Sequence, residues 1–378
     1  MKSISSPAPP FNLCVVGLLS LFMFICPWLS MASDGPAGTP IFPLTLTDSA
    51  EQKVSLDKPP QRIVVIGRGP FMTIHMLYMF PEIQERLVGY ENRSQELKNF
   101  LALLDPKVNE KTELGMNPGI EQIFALKPDL IVKKAYSVDK MASLLMQAGI
   151  SVLHVGLETP ERFYEDMLNI GRVLGNLKRA EEIVDFYKVR LNRITQRVAS
   201  IPDNQKARIL ILHLDGRSST SAMRIPPETW MQTIQTKLAG ADPIWLDAHP
   251  NPSGWNVVNF EQIAAWDADK IFIIIKESAD TEQILIDLKN HTLWKQLKAV
   301  KNNNLIPFPS DAIGWDSPEP RWILGTTWIA LQSYPDLFKD ISMKNEVNDF
   351  FSFLYNLEQS KIDSGIWPGI TLYTHDNP

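Results

Sequence analysis

The chain predicts an α/β protein of two Rossmann-like lobes, each with a central, mostly parallel sheet, bridged by one long backbone helix. Three observations carry this expectation. Continuous apolar, β-branched runs alternate with helical segments, the pattern of a parallel sheet covered on both faces. The stretch Ile120-Glu121-Gln122-Ile123-Phe124-Ala125-Leu126-Lys127-Pro128-Asp129-Leu130-Ile131 returns 140 residues later as Phe260-Glu261-Gln262-Ile263-Ala264-Ala265-Trp266-Asp267-Ala268-Asp269-Lys270-Ile271. Each copy reads as a short helix, a tight turn ending in Asp and an apolar strand, so the two lobes are built alike. Between the copies, residues 177–200 carry apolar residues spaced by threes and fours, at Ala180, Ile183, Val184, Tyr187, Leu191, Ile194 and Val198. A helix of that length spans roughly 36 Å, enough to link two lobes.

A length of 378 residues fits two domains or one large one, and 44% hydrophobic with 21% charged residues is ordinary globular composition. The net charge of −6 excludes a general nucleic-acid binder. The N-terminus carries one charge, Lys2, and then an almost wholly apolar run from Phe11 to Leu29, broken by Pro27. Ser30-Met31-Ala32 follows, a small-x-small triplet suited to signal peptidase. Residues 1–32 therefore read as a secretory signal cleaved after Ala32, and the protein as periplasmic. The run is also long enough for a membrane anchor, but Pro27 and the small-residue site favour cleavage. Leu13 and Ile25, which precede Cys14 and Cys26, are too large for a lipoprotein cleavage site. Both cysteines lie in this segment, so the exported chain holds together by its core alone.

Taken in order, residues 33–41 are a Gly/Pro/Ser-rich linker. Phe42 to Leu56 reads as strand, turn and strand. Arg62 to Ile66 is a β-branched strand ended by Gly67-Arg68-Gly69-Pro70, and a helix follows over 71–80. A strand at 87–90, a helix at 94–103, the first repeat unit, a helix at 138–148 and a strand at 151–155 complete the first lobe, 42–176. Thr159-Pro160 opens a helix that Gly175-Asn176 stops. The backbone helix occupies 177–203 with its exit. The second lobe, 204–378, begins with a strand at 208–213 and a polar loop, then a helix over 228–238. It continues through a Pro/Asn/Gly-rich loop at 245–255, the second repeat unit, a helix over 281–289 and a strand at 305–308. Closing helices lie at 318–334 and 344–357, and the chain frays from Ser364 onward.

With these elements placed, the chain resembles the substrate-binding proteins of ABC importers. The likeness is to the group with a rigid helical backbone that serves iron–siderophores, haem, cobalamin and some oxyanions. The residues that carry it are Leu46-Thr47-Asp48, Val54, Pro60-Gln61-Arg62-Ile63-Val64 and Glu121-Gln122-Ile123 with Leu126-Lys127-Pro128-Asp129. Near the end they are Trp294-Lys295-Gln296-Leu297-Lys298-Ala299-Val300-Lys301, Trp328-Ile329-Ala330 and Tyr334-Pro335-Asp336-Leu337-Phe338. Trp315-Asp316-Ser317-Pro318-Glu319-Pro320-Arg321 is similar to the branch with metal-chelate and molybdate-type binders. The resemblance covers essentially all of 42–357. It implies a ligand held between the lobes. It also implies that Glu121 and Glu261, one per lobe, dock onto arginines of a dimeric permease. Two equivalent glutamates suit two equivalent subunits of a symmetric transporter, and each is also favourably placed by a helix N-terminus.

In α/β sheets ligands bind beyond the carboxyl ends of the strands. The residues just past the strands of this chain are repeatedly basic or aromatic. Arg68 comes after the first, Lys133, Lys134 and Tyr136 after the next, and His213, Arg217 and Arg224 after the strand at 208. Lys276 comes after the strand at 270, and Trp315 and Arg321 after the strand at 305. Trp255 lies in a loop after a glycine. Such residues in an acidic chain point to an anionic ligand focused into a cleft, with Arg forks for its oxygens and indole faces for its organic body. His75 and His154, and Trp266, Trp294, Trp322 and Trp328, fall at packing positions. No spacing of His, Asp and Glu points to a bound bare metal, and no resident cofactor is implied.

Enzyme motifs are missing: there is no Gly-x-Ser-x-Gly, Walker loop or His-Glu-x-x-His, and Gly67-Arg68-Gly69 lacks the third glycine of a dinucleotide loop. The expectation is a monomeric, non-enzymatic periplasmic binding protein for an anionic metal chelate, foremost an Fe(III)–siderophore. Molybdate or tungstate, haem and cobalamin are the alternatives of the same class, and an exported metal-handling enzyme or chelatase is the alternative of another.

Overall fold

The computed structural model describes residues 42–372, apart from 93, 136–139, 215–221, 249, 253, 276–279, 312 and 371. The expected signal segment 1–32 and linker 33–41 lie outside the described residues.

An antiparallel hairpin comes first, β1 (Leu44–Thr47) with β2 (Lys53–Leu56). Asp48 closes its turn: Oδ1 accepts the backbone N–H groups of Ala50 and Gln52, each at 2.9 Å. The other oxygen accepts the His154 N–H at 3.0 Å and lies 2.7 Å from its Nδ1, which fastens the hairpin to the first sheet.

That sheet is built from β3 (Ile63–Val65), α1 (Pro70–Leu77), α2 (Ile83–Arg86), β4 (Leu87–Glu91), α3 (Gln95–Leu104), β5 (Thr112–Leu114), α4 (Ile120–Ala125), β6 (Leu130–Lys134), α5 (Lys140–Gln147) and β7 (Ser151–Val155). Its order is β5-β4-β3-β6-β7 and every neighbour is parallel. Ile63, Val64, Val65, Leu130, Ile131 and Val132 are all fully buried, as a sheet covered on both faces requires. The unbroken apolar runs seen in the sequence have this cause.

Two helices leave the sheet. The side chain of Thr159 caps α6 (Pro160–Leu174), and Gly175 ends it at φ 81°. Within α6, Asp166 is buried and accepts hydrogen bonds from Ser49 Oγ at 2.7 Å and from the N–H groups of Gly156 and Leu157 at 2.7 and 3.0 Å. Burial pushes its carboxyl up to about 6 against the pull of those donors. The folded chain thus holds this proton more tightly than the unfolded chain, whose value is near 3.8. The resulting contribution to stability is full below the unfolded value and is lost as pH rises through the folded one. Asp166→Asn is expected to flatten that dependence, read as unfolding midpoints in urea between about pH 4 and pH 7.

The backbone helix is α7 (Leu177–Val198), 22 residues and so about 33 Å long. One face is apolar and buried. Arginines along another tie it to residues 340–354, near the end of the chain. Arg179 Nη2 donates to the carbonyls of Phe353 and Leu354 at 2.7 and 2.9 Å. Arg190 and Arg193 reach the two oxygens of Glu346 at 3.0 and 2.8 Å, and Arg197 pairs with Asp340. These contacts brace the helix along its length.

The second sheet comprises β8 (Arg208–Leu214), β9 (Met223–Ile225), α8 (Met231–Leu238), β10 (Asp242–Pro243), β11 (Asn256–Val258), α9 (Phe260–Trp266), β12 (Lys270–Ile274), α10 (Thr281–Asn290), α11 (Lys298–Lys301) and β13 (Leu305–Pro307). Its order is β11-β9-β8-β12-β13, with β10 also beside β8. The β8, β10, β12 and β13 strands run parallel, while β9 and β11 add an antiparallel edge. That edge was not expected: three-residue strands beside Pro and Asn are too short to show a period.

The chain closes with α12 (Trp322–Ser333), α13 (Met343–Tyr355) and α14 (Gln359–Lys361). The end is less frayed than expected. A π turn at Ile362–Ile366 and a 3-10 turn at Trp367–Gly369 follow, and Ile362 and Ile366 are buried. Lys361 Nζ donates to the carbonyl of Leu103, and Gly365 sits so close to Leu103 that a Cβ would meet it at 2.7 Å. The closing segment assigned to 204–378 therefore rests on α3, a helix of the first sheet. Trp294, Trp322 and Trp328 are core residues, and Trp266 is half-buried.

Candidate functional site

The repeat noticed in the sequence is a repeat in space. Residues 121–128 and 261–268 have the same succession of buried and exposed positions. In the first copy, Asp129 accepts the N–H groups of Gln61 and Arg62 at 2.8 and 2.9 Å, and Arg62 returns its guanidinium to the carbonyl of Leu126 at 2.7 Å. In the second, Asp269 accepts the Arg208 N–H at 3.0 Å, and Arg208 donates to the Trp266 carbonyl at 2.8 Å. Each short helix has a Gln at its third position that reaches back to the capping backbone N–H, Gln122 to Gly119 and Gln262 to Asn259. Glu121 and Glu261 are each the second residue of their helix, and both are exposed. Exposed apolar side chains accompany them, Met116 and Phe124 beside the first and Val257 beside the second.

The carboxyl end of the first sheet gathers charge. After β3 the chain turns through Gly67 at φ 104°, Arg68 and Gly69 at φ 65°, and Pro70 begins α1. Gly67 has close neighbours as well as a positive φ: a Cβ there would lie 3.4 Å from Cε of Lys133. Its N–H donates to Glu91 at 2.8 Å, and the other oxygen of Glu91 accepts the Asn117 N–H at 3.1 Å. Lys133 and Lys134 are buried at the end of β6. Lys134 Nζ pairs with Glu158, just past β7, and lies 3.6 Å from Met72 Sδ. Arg68 is exposed. Strands β3, β4, β6 and β7 thus bring three cations and two carboxylates to one edge.

The second sheet supplies the aromatic faces. His213, on β8, is registered opposite Arg224 on β9. The indole of Trp255 stacks on the His213 ring at 4.8 Å and 25°, and Trp230 meets Trp255 edge-on at 5.4 Å. All four residues are half-buried. Asn256 holds the Trp255 loop, accepting the Asn251 N–H at 2.8 Å and donating to the Gly254 carbonyl at 2.8 Å. Trp230 was not among the predicted contacts. The sequence placed it inside a helix over 228–238, whereas that helix begins at Met231 and Trp230 stands just ahead of it.

Arg321 and Trp315 are placed elsewhere than expected: both are wholly buried. The Arg321 Nε lies 2.7 Å from Asp311 Oδ1, and Nη1 donates to Glu319 Oε2 at 2.9 Å and lies 3.1 Å from His75 Nδ1. The carboxylates expected on a ligand are supplied here by the chain itself. Desolvation lowers the Arg321 pKa, but Asp311 and Glu319 outweigh it and the net shift is upward. Burial pushes the Glu319 carboxyl up, opposed by Arg321. Burial, with the Arg321 charge, holds His75 well below its usual range. Trp315 packs under α12, where its carbonyl accepts from Gln235 Nε2 at 2.8 Å. Tyr136, Arg217 and Lys276 lie outside the described residues.

A recess of about 230 Å³ opens between α3 and the C-terminal turn, lined by Phe100, Ile366 and Asp311 among others. Among the described residues no three His, Cys, Asp or Glu side chains converge as metal ligands. Nor is any described helix long and apolar enough to cross a membrane.

Residues 87–312 match the model of a family described as periplasmic binding protein. The chain is 24% identical over 308 residues to the uncharacterized ABC transporter substrate-binding lipoprotein YvrC of Bacillus subtilis, covering 80% of this chain and 89% of that protein. It is 22% identical over 333 residues to the molybdate-binding protein MolA of Haemophilus influenzae, covering 82% and 90%. Among solved structures, MolA bound to molybdate superposes with a TM-score of 0.67 at 18% identity, over 83% of this chain and 98% of that one. A TroA-like periplasmic binding protein, FepB from Veillonella parvula, superposes with 0.68 at 24% identity, over 82% and 96%.

Proposed function

The chain belongs to the periplasmic binding protein family, and from that premise we propose that it captures an anionic metal chelate, foremost an Fe(III)–siderophore, between its two lobes. It hands this cargo unchanged to an ABC permease. One observation carries the choice of cargo: the half-exposed group of His213, Trp230 and Trp255 with Arg224 at the carboxyl end of the second sheet. Flat indole and imidazole faces are worth most to a ligand with an organic body, while Arg224 and Arg68 answer its negative oxygens. The lobes are taken as 42–176 and 204–378 with α7 between them, the protein as a monomer, and 1–32 as the leader that exports it to the periplasm.

Molybdate or tungstate is the second reading, supported by the likeness to MolA. It leans on Arg68 and on backbone N–H donors rather than on the indoles. A ligand that binds only the native state raises the melting temperature. A thermal-shift panel of ferric siderophores, ferric citrate, haem, cobalamin, molybdate and tungstate is expected to respond to ferric chelates. Trp255→Ala is expected to weaken that response at least about tenfold in affinity, near 1.4 kcal/mol. A response to molybdate alone, unaffected by Trp255→Ala, would transfer the assignment to the oxyanion.

A further inference from the structure

We propose that His75 and Arg321 are positioning residues for ligand capture. With Asp311 and Glu319 they form a buried pin between the helix that carries the first sheet's ligand turn and the segment that leaves the second sheet. The inference rests on the reading that ligand is held between the two sheets' carboxyl ends.

One side of the pin is α1, whose first residue, Pro70, directly follows the Gly67-Arg68-Gly69 turn. His75 lies on that same helix with no exposed surface, and α1 packs on β3, β4 and β6. Any shift of His75 is therefore a shift of the turn that presents Arg68. The other side is the stretch from Asp311 to Arg321, after β13. Helix α8 of the second sheet grips it: Gln235 Nε2 donates to the carbonyl of Trp315 and to that of Trp322, the next residue beyond the stretch, each at 2.8 Å, and Gln232 donates to Asp316 at 2.8 Å. The backbone helix grips it too, through Tyr187 OH on the Pro320 carbonyl at 2.6 Å. Between the two sides run the contacts of His75 Nδ1, at 3.1 Å from both Glu319 Oε2 and Arg321 Nη1.

The surroundings are aromatic. The Arg321 guanidinium sits 4.5 Å over Phe100 and 5.3 Å over Phe351, and His75 meets Phe100 at 4.7 Å. Packing of rings tolerates sliding, whereas charge-assisted hydrogen bonds hold direction as well as distance. A buried ion cluster contributes little net stability compared with apolar side chains of the same size, and its best-attested use is to fix register. Here the register fixed is the angle between two sheets. His75 enters as a neutral ring, because burial and Arg321 depress its pKa. The cluster then holds one guanidinium against two acids.

The test uses the exported protein, whose only cysteines, Cys14 and Cys26, lie in the proposed leader. Spin labels are placed through Gln147→Cys on α5 and Lys289→Cys on α10, one exposed helix position in each layer. Distance distributions are measured by pulsed electron spin resonance in the parent, in His75→Phe and in the charge-free triple variant Asp311→Asn, Glu319→Gln, Arg321→Met. The parent is expected to give one narrow distribution. Both variants are expected to fold, to broaden or displace it, and to bind a ferric tricatecholate probe about tenfold more weakly, the scale of a typical coupling between sites. An unchanged distribution in either folded variant overturns the pin. So does failure of both to fold, since the cluster would then be only a core support. Failure of the parent to bind the probe strikes at the cargo assignment instead, and the distance measurement still decides the pin.

Discussion

Reversing both lobe-tip glutamates, Glu121→Lys with Glu261→Lys, is expected to bring uptake down to background while ligand affinity stays at the parental value. Both side chains are exposed at the second position of short helices that belong to equivalent helix-turn-strand units. Neither contributes to the groups gathered at the strand ends, so the ligand site has no stake in them, and the fold loses only their favourable place at a helix N-terminus. Each reversal sets a lysine against the arginines expected on the permease, and like charges brought together at an interface cost several kcal/mol. Flanking apolar residues, Met116 and Phe124 in one unit and Val257 in the other, would remain available for contact. The charge reversal is thus separated from general loss of surface. Either single reversal should reduce transport less than the pair. Transport at the parental rate in the double variant would remove the docking role.

The largest effect on stability is expected from Arg321→Met. Taking away the guanidinium leaves Asp311 and Glu319 buried with no arginine between them. Breaking a buried pair by removing one partner costs about 3–5 kcal/mol, because the remaining charge has no compensation. The expected reading is a lower urea midpoint with an unchanged slope. Adding Asp311→Asn and Glu319→Gln to Arg321→Met should recover most of the loss, since the uncompensated charges go with it. A single variant as stable as the parent, or a triple variant no better than the single, would contradict this electrostatic account.

The same cluster marks the boundary of what the sequence revealed. The repeat of Glu121 and Glu261 was legible because local periodicity, capping glutamines and a turn-closing Asp act within a dozen residues. Its structural counterpart, Arg62 with Asp129 and Arg208 with Asp269, spans 67 and 61 residues and left no such local mark. The parallel strands were legible because burial on both faces leaves unbroken apolar runs. Arg321 was not legible in this way. Following a strand near a tryptophan, it carried every mark of a ligand contact. Its partner His75 stands 246 residues away, and nothing local shows that the chain brings them together. Trp230 and Trp255 illustrate the opposite case. One was singled out by a loop glycine and the other was not, yet they meet at 5.4 Å because the short antiparallel edge strands set their loops side by side. Elements too short to carry a period placed the aromatic face.

An organic metal chelate and a bare oxyanion are two separable cargoes for this binding protein, and the chelate is the one proposed. Titration of the exported chain with a ferric tricatecholate and, separately, with molybdate separates the two, with indole fluorescence and heat as parallel readouts. Saturable binding of the ferric chelate is expected, with quenching that is mostly lost in Trp255→Ala, and no saturable heat from molybdate. Tight molybdate binding together with a silent ferric chelate would contradict that proposal.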